Sequence, residues 1–198
     1  MPRPIIVTGA PGSGKTTTLD LVRDTDIEVV AEAATDVNLT MLDAGLVPHL
    51  QPDFLERIVA LQRARRTAAT AERQLHDRSV YCTLALARHL GAPVPVALWS
   101  ELEASAAWFE SAVMFFQPLG FLTPTRVRRI GYADAQRFGQ LHREVYLEYG
   151  FTIVDVPAQR PDERAAVLTS AFSARRSPAP AAVQPRAPER NRDGTTED

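Results

Sequence analysis

Residues 9–16, Gly-Ala-Pro-Gly-Ser-Gly-Lys-Thr, follow directly on the β-branched run PIIVT (residues 4–8) and lead into a short segment of helical spacing, residues 16–23. A buried strand running into G-x-x-x-x-G-K-[ST] and then a helix is the complete phosphate-loop signature. No other stretch constrains the fold as much, because such a loop works only with a strand behind it and a helix N-terminus in front. Gly12 and Gly14 allow a backbone whose amides turn inward onto phosphate oxygens, a conformation that a Cβ atom obstructs. The helix adds the positive end of its dipole. Gly9, Ala10, Pro11, Gly12, Ser13, Gly14, Lys15, Thr16 and Thr17 are therefore the candidate nucleotide-binding residues. Lys15 is expected to reach the β- and γ-phosphates and the Thr16 hydroxyl to ligate Mg²⁺.

Lys15 is also the single lysine of the chain. Abundant Ala and Arg read as the bias of a GC-rich genome, under which lysine gives way to arginine wherever only a positive charge is needed. At this position the wider, planar guanidinium does not replace a compact point charge enclosed by the loop.

The rest of the chain supplies the frame the loop requires. Strands are expected at residues 27–31, 74–77, 112–116 and 151–156, and helices at 52–75, 81–90, 101–109, 134–149 and 161–172. The 74–77 segment (QLHD) has poor strand propensity and is included because Asp77-Arg78-Ser79 after it reads as a loop-to-helix signal. Strands alternating with helices imply an α/β domain, a parallel sheet covered on both faces. From residue 173 the composition turns to Pro, Ala, Arg and mixed charge, so the expected organisation is one domain over 1–172 and a disordered tail over 173–198.

Composition excludes several function classes. One cysteine, Cys82, builds neither an intrachain disulfide nor a thiolate metal cluster, which fits a reducing, cytoplasmic compartment. No run approaches the ~18 apolar residues of a membrane span. A formal net charge of −2 gives no reason to expect a nucleic-acid partner. Arg63, Arg65 and Arg66 form a basic helix side that reads as a solvated face. No feature specifies an oligomeric state.

ATP is the expected nucleotide, because the guanine-reading N-K-x-D element and a D-x-x-G switch are both missing. Phosphoryl transfer also needs a group to activate the acceptor and charge to offset the transferred phosphoryl. Glu32, directly after the second strand, stands where ligands bind in open α/β sheets and is a candidate general base; it also reads as a helix-opening acid. Asp77 and Arg78 end the third strand beside the phosphate loop. Asp77 can hold Mg²⁺ through water or accept a substrate proton, and Arg78 can bind an acceptor phosphate; a capping Asp with a surface Arg is the other reading. Arg126, Arg128 and Arg129 fall between the fourth strand and the long helix, where they read as a lid closing over ATP or as a basic surface loop.

With IIVTGAPGSGKTT, VVAEAA, PDFLERIVALQRARR, HDRS and LHREVYLEYGFTIVDVP in place, the chain resembles the small AAA-type, kinase-like P-loop domains. That group includes the TRPL translocation defect protein and, more distantly, the ribosylnicotinamide kinase half of the bacterial NAD regulator. The resemblance covers nearly all of residues 4–172. It implies a three-layer P-loop NTPase fold with a five-stranded parallel sheet of order 2-3-1-4-5, ATP with Mg²⁺, and Glu32, Asp77 and Arg78 on the acceptor side. An acid after the second strand with an acidic-Arg-Ser triplet after the third is also similar to the deoxynucleoside kinases. That likeness implies Glu32 as base and Arg78 as a transition-state or acceptor contact. Two departures fall on the acceptor side: the third strand is polar, and an acid usual a few residues after the Asp-Arg pair is replaced near Cys82. The expected function is ATP-dependent phosphotransfer to a small hydroxylated or nucleoside-like molecule, or alternatively a slow ATPase that gates a protein partner.

Overall fold

The computed structural model describes residues 3–23, 25–123, 125–126 and 130–173. Five strands, β1 (Ile5–Gly9), β2 (Glu28–Val30), β3 (Gln74–Asp77), β4 (Ala112–Phe116) and β5 (Thr152–Val156), form one sheet of order β2-β3-β1-β4-β5. Every pairing is parallel, with Val7 opposite Asp77 and Gly9 opposite Phe116. The expected sheet is thus the observed one. β1 is central and buried at every residue, which is what a run of Ile-Ile-Val between two helix-covered faces requires.

Seven helices cover the sheet: α1 (Lys15–Val22), α2 (Ala33–Asp43), α3 (Phe54–Ala68), α4 (Val80–Leu90), α5 (Val96–Ser105), α6 (Tyr132–Glu148) and α7 (Pro161–Ser173). On one face α4, α5 and α6 enclose Ile6, Val113, Tyr81, Leu84 and Tyr146; on the other α1 and α7 enclose Ile5, Val7, Leu19, Phe116 and Leu168. Each such aliphatic or aromatic side chain taken from water contributes roughly 1.5–3 kcal/mol before chain entropy is counted. A third cluster, Met41, Phe54, Leu55, Ile58 and Ala87, joins α2, α3 and α4. No helix among the described residues is long and apolar enough to cross a membrane.

Several boundaries differ from the sequence expectation. The helix expected over 52–75 stops at Ala68, because Ala69 is extended and the Glu28 carboxylate accepts the N–H groups of Thr70 and Ala71 (3.0 and 2.8 Å). That capture turns the chain into β3. The helix expected over 101–109 is α5, which begins five positions earlier behind Pro95 and ends at Ser105. α2 is marked in the sequence only by the reading of Glu32 as a helix-opening acid; its Thr, Asn and Val content gives it weak propensity, and packing under α3 stabilises it.

The polar β3 is a core strand in which Gln74 and His76 are satisfied by local partners. Gln74 Nε2 donates to the Ala71 carbonyl at 2.8 Å, and its Oε1 lies 3.1 Å from His76 Nε2. The His76 ring meets Trp108 and Phe109 edge-on at 5.0 and 5.2 Å. Burial, with the nearby Arg66 charge, pushes the imidazole pKa down to about 3, so it packs as a neutral ring.

The basic side of α3 is not a solvated face. Glu101, buried on α5, is paired with Arg63 (2.6 Å) and Arg66 (3.1 Å), while Arg65 is paired with Asp36 and donates to the Ala31 carbonyl at 3.0 Å. These charges tie α3 to its neighbours.

Candidate active site

At the C-terminal end of β1 the chain turns at Gly9, whose φ of +138° and proximity to β4 admit no side chain: a Cβ would stand 2.5 Å from the Phe116 carbonyl oxygen. Gly12 and Gly14 follow with φ of +78° and +80°. Gly14 is the N-cap of α1, so the loop delivers its amides to the helix N-terminus with no side-chain cap in the way. Thr16 and Thr17 are exposed on the first turn. Lys15 is 6% exposed and folds back over the loop, its Nζ 3.4 Å from the Ala10 carbonyl and 3.5 Å from Ser13 Oγ. Burial, and then the Arg78 charge, lowers its pKa to about 8 against the opposing pull of Asp77 and Glu32.

Behind the loop lies a residue the sequence reading missed. Arg164, in the first turn of α7 and 1% exposed, donates from Nη1 to the Ser13 carbonyl at 2.7 Å and from Nη2 to the Gln117 carbonyl at 3.2 Å. Its guanidinium lies 4.2 Å above the Phe116 ring. It also fills the space beside Gly14, where a Cβ would come 2.9 Å from Nη1. A cation in a helix's first turn opposes the dipole, and that is the signal by which the sequence could have marked it.

Glu32 and Arg78 meet across the sheet edge. Glu32 is the N-cap of α2 but makes no side-chain capping bond; it accepts from the Thr35 hydroxyl at 3.0 Å and stands 2.6 Å from Arg78 Nε. Glu32 thus stands directly after β2 and opens α2. Arg78 is buried, and its φ of +71° is the one positive value at a non-glycine among the described residues. That backbone costs about 1–2 kcal/mol. It is held by the Arg78 N–H, which donates to the Val7 carbonyl at 2.9 Å, and by the side-chain partners. Burial by itself raises the Glu32 carboxyl pKa, but Arg78 and Lys15 outweigh it and hold the group below its ordinary value.

His142, also missed, stands on the other side of Arg78, with Nε2 3.2 Å from Nη1. Burial, then Arg78, keeps it well below its ordinary pKa. It lies on the α6 stripe of Phe138 and Val145, four positions from one and three from the other, so the periodicity that marks that face also marks it. Asp77 is 9% exposed, with Oδ1 unpartnered; burial and Glu32 raise its pKa to about 6. It does not line the main cavity and lies against a small space beside Ser105 and Glu101. Cys82 is buried, 3.2 Å from both the Thr8 and Tyr146 hydroxyls. Arg126 is exposed and paired with Asp43 at 2.6 Å, and it does not line the cavity. Arg128 and Arg129 lie outside the described residues.

One cavity of about 640 Å³ joins these groups. The phosphate loop from Pro11 to Thr17 lines it together with Glu32, Arg78 and His142 and with the apolar side chains of Phe54, Leu86, Leu90 and Phe138. Leu119, Phe121, Thr123 and Ile130, from the connection between β4 and α6, close one side.

Solved structures share this architecture. NadR in complex with NAD and AMP-PNP aligns with a TM-score of 0.63 at 14% identity over 91% of this chain, which spans about half (52%) of the NadR chain. Deoxyadenosine kinase from M. mycoides with bound dATP aligns at 0.59 and 13% identity over 86% of this chain and 99% of its own. Thymidylate kinase from Candida albicans aligns at 0.56 and 12%, over 87% and 92%. No curated protein sequence matches the chain. Likenesses at these identities establish a P-loop kinase fold, and the sequence itself matches the AAA domain family over residues 4–164. The chain therefore belongs to the AAA domain family.

Proposed function

We propose that the protein is an Mg·ATP-dependent phosphotransferase acting on a small hydroxylated acceptor. The observation that carries this reading is a cavity lined both by Lys15 of the phosphate loop and by a Glu32 carboxylate kept ionised by Arg78. A nucleotide whose phosphates lie on the loop amides and Lys15 directs its γ-phosphoryl toward Glu32. The acceptor hydroxyl attacks that phosphorus, the bond to the β-phosphate oxygen breaks, and the hydroxyl proton passes to Glu32. ADP leaves with the electron pair. A carboxylate with a depressed pKa suffices, because a loose phosphoryl transition state asks for positioning more than for base strength. Arg78 offsets charge on the transferred group.

The residues present fit the Mg²⁺ that accompanies ATP. Thr16, exposed at the start of α1, lines the cavity and would ligate the ion directly, whereas Asp77 Oδ1, a carboxylate oxygen with no protein partner, lies outside that cavity and would act on the ion through water. Such an ion needs one or two protein oxygens beside phosphates and water. When bound it neutralises phosphate charge. The alternative of a slow ATPase switch draws on the polar β3 and on the acid replaced near Cys82; packing accounts for Gln74 and His76 of that strand and leaves the second ground standing. Incubation with Mg·ATP and a metabolite extract is expected to yield a new phosphorylated mass that Lys15→Ala abolishes; no such product across a broad panel refutes the proposal.

A further inference from the structure

One buried stripe of α6, Gly139, His142 and Tyr146, meets three different pieces of the site in successive turns. Gly139 seats the helix on the phosphate loop, where a Cβ would stand 2.8 Å from the Ala10 Cβ. A glycine inside a helix is destabilising, and here it allows an approach that no other residue permits. One turn on, His142, 1% exposed, meets Arg78 Nη1 at 3.2 Å through Nε2 and at 3.4 Å through Nδ1. After a further turn the Tyr146 hydroxyl lies 2.8 Å from Ser79 Oγ. The left-handed backbone of Arg78 is thus braced from α6 at its own side chain and at the next residue.

The contact between His142 and Arg78 admits one protonation state. A guanidinium has donors and no acceptor, and an imidazolium likewise has donors only. The ring nitrogen that receives the Nη1 hydrogen therefore carries a lone pair, and the imidazole is neutral with its proton on the other nitrogen. The charges that reach the ring, from Arg78, Lys15 and His89, all oppose its protonation, as burial does. Phe138, on the same helix, packs on the imidazole with 4.3 Å between ring centroids. Arg78 accordingly has acceptors of two kinds, Glu32 Oε1 at 2.6 Å from Nε and the neutral ring beside Nη1. A carboxylate alone favours a two-pronged grip on an arginine. An imidazole that takes Nη1 keeps the guanidinium out of that grip, and it does so without adding a second negative charge that would cancel the arginine's own.

We propose that His142 is a positioning residue for phosphoryl transfer, a neutral acceptor that holds Nη1 of Arg78 apart from Glu32 and so directs the guanidinium charge into the cavity that both residues line. The inference rests on the phosphotransferase reading and adds a residue to it. Two measurements on the full chain test it. In protein labelled with ¹⁵N-histidine, long-range proton–nitrogen correlation spectra at pH 7 are expected to show the His142 ring, identified by its loss in His142→Gln, with one bare and one protonated nitrogen. Arg78→Met is expected to move the bare-nitrogen signal. A doubly protonated ring, or a bare nitrogen indifferent to Arg78→Met, overturns the inference. The second measurement is the initial rate of the Lys15-dependent product formed from Mg·ATP and a metabolite extract. His142→Leu, which fills the space without an acceptor, is expected to lower the rate at saturating ATP roughly 10–100-fold, the worth of one hydrogen bond to a charged group. The KM for ATP should stay within about threefold, and His142→Gln, which restores a neutral acceptor, should recover most of the loss. Equal losses in the two variants, both folded by circular dichroism, or a loss in neither, overturn the inference and leave the phosphotransferase reading standing. A parent protein that yields no Lys15-dependent product overturns that reading, and with it the role given to His142, whatever the spectra show.

Discussion

Arg78 Nε lies 2.6 Å from Glu32 Oε1, joining the end of β3 to the start of α2 through a pair that is buried on the arginine side and partly open to the cavity on the carboxylate side. The pair holds Glu32 ionised, and Glu32 compensates an arginine whose backbone sits in a strained region. Glu32→Gln keeps the shape, removes the proton acceptor and leaves Arg78 uncompensated. The expected outcome is a loss of turnover of roughly 10²–10⁴-fold and of about 2–3 kcal/mol in stability, with ATP affinity nearly unchanged. Coupled ADP-release kinetics, denaturant unfolding and nucleotide titration separate the three. Adding Arg78→Met restores part of the stability and none of the turnover, since it removes the orphaned charge and not the missing base.

Lys15 titrates in an accessible range. With its pKa lowered to about 8 by burial and then by Arg78, half of the free protein carries a neutral amine near that pH, where an ordinary lysine near 10.4 is almost wholly protonated. As Lys15 is the chain's single lysine, amine-directed labelling with trinitrobenzenesulfonate at pH 8 is expected to modify one internal position. ATP protects it, and peptide mass mapping separates it from the N-terminal amine. Loss of the proton removes charge from the phosphate site, so ATP affinity falls as pH rises through 8. Flat affinity from pH 7 to 9 contradicts the assignment.

Asp77 has the opposite character. Its carboxyl, raised to about 6 by burial and by Glu32, is uncomfortable when ionised. In the unfolded chain the same group titrates near 3.9, so between the two values the folded state binds more protons and this group's contribution to stability falls as pH rises. Asp77→Asn removes the penalty. The variant is expected to exceed the parent by on the order of 2–3 kcal/mol at pH 7.5, an advantage that fades as pH falls from 6 toward 4. Paired urea titrations at pH 7.5 and 4.5 test this, and a variant less stable than the parent at both pH values rejects it.

How much of this was legible in the sequence depends on how local the determining physics is. The loop of residues 9–16 carries its own geometry, and glycines with positive φ stand where the motif puts them. Glu32, Asp77 and Arg78 were placed by strand order alone, yet the pairing of Glu32 with Arg78 joins two elements 46 positions apart that only the parallel β2–β3 register brings together. β3 itself contradicts strand propensity because its environment is set by Trp108, Phe109 and Arg66, none of them nearby in sequence. Beyond its opening acid, α2 was invisible for the same reason, since its weak helix formers are stabilised by α3.

Arg164 is the largest fact that strand-and-motif reasoning passed over, and the one whose removal separates nucleotide binding from chemistry. Flanked by Asp162 and Glu163, it reads as one more exposed helical charge; in the structure Asp162 pairs with Arg160, and Arg164 turns inward. It braces the loop from behind, through the Ser13 carbonyl, and ties it to the end of β4 through Gln117 and Phe116. Its hydrogen bonds go to two carbonyls, and among the described residues no salt bridge to a carboxylate takes up its charge, which leaves that charge to act on phosphates bound at the loop. Arg164→Met is therefore expected to raise the ATP dissociation constant about 10–100-fold, the equivalent of losing one or two charge-assisted hydrogen bonds. kcat at saturating ATP should stay within about threefold, because an effect spread evenly over ground and transition states changes KM alone. Arg164→Lys keeps the charge, loses the fork that spans two carbonyls, and should recover only part of the affinity. Equal falls in kcat for both variants at unchanged KM would assign Arg164 to the chemical step and reject the bracing role.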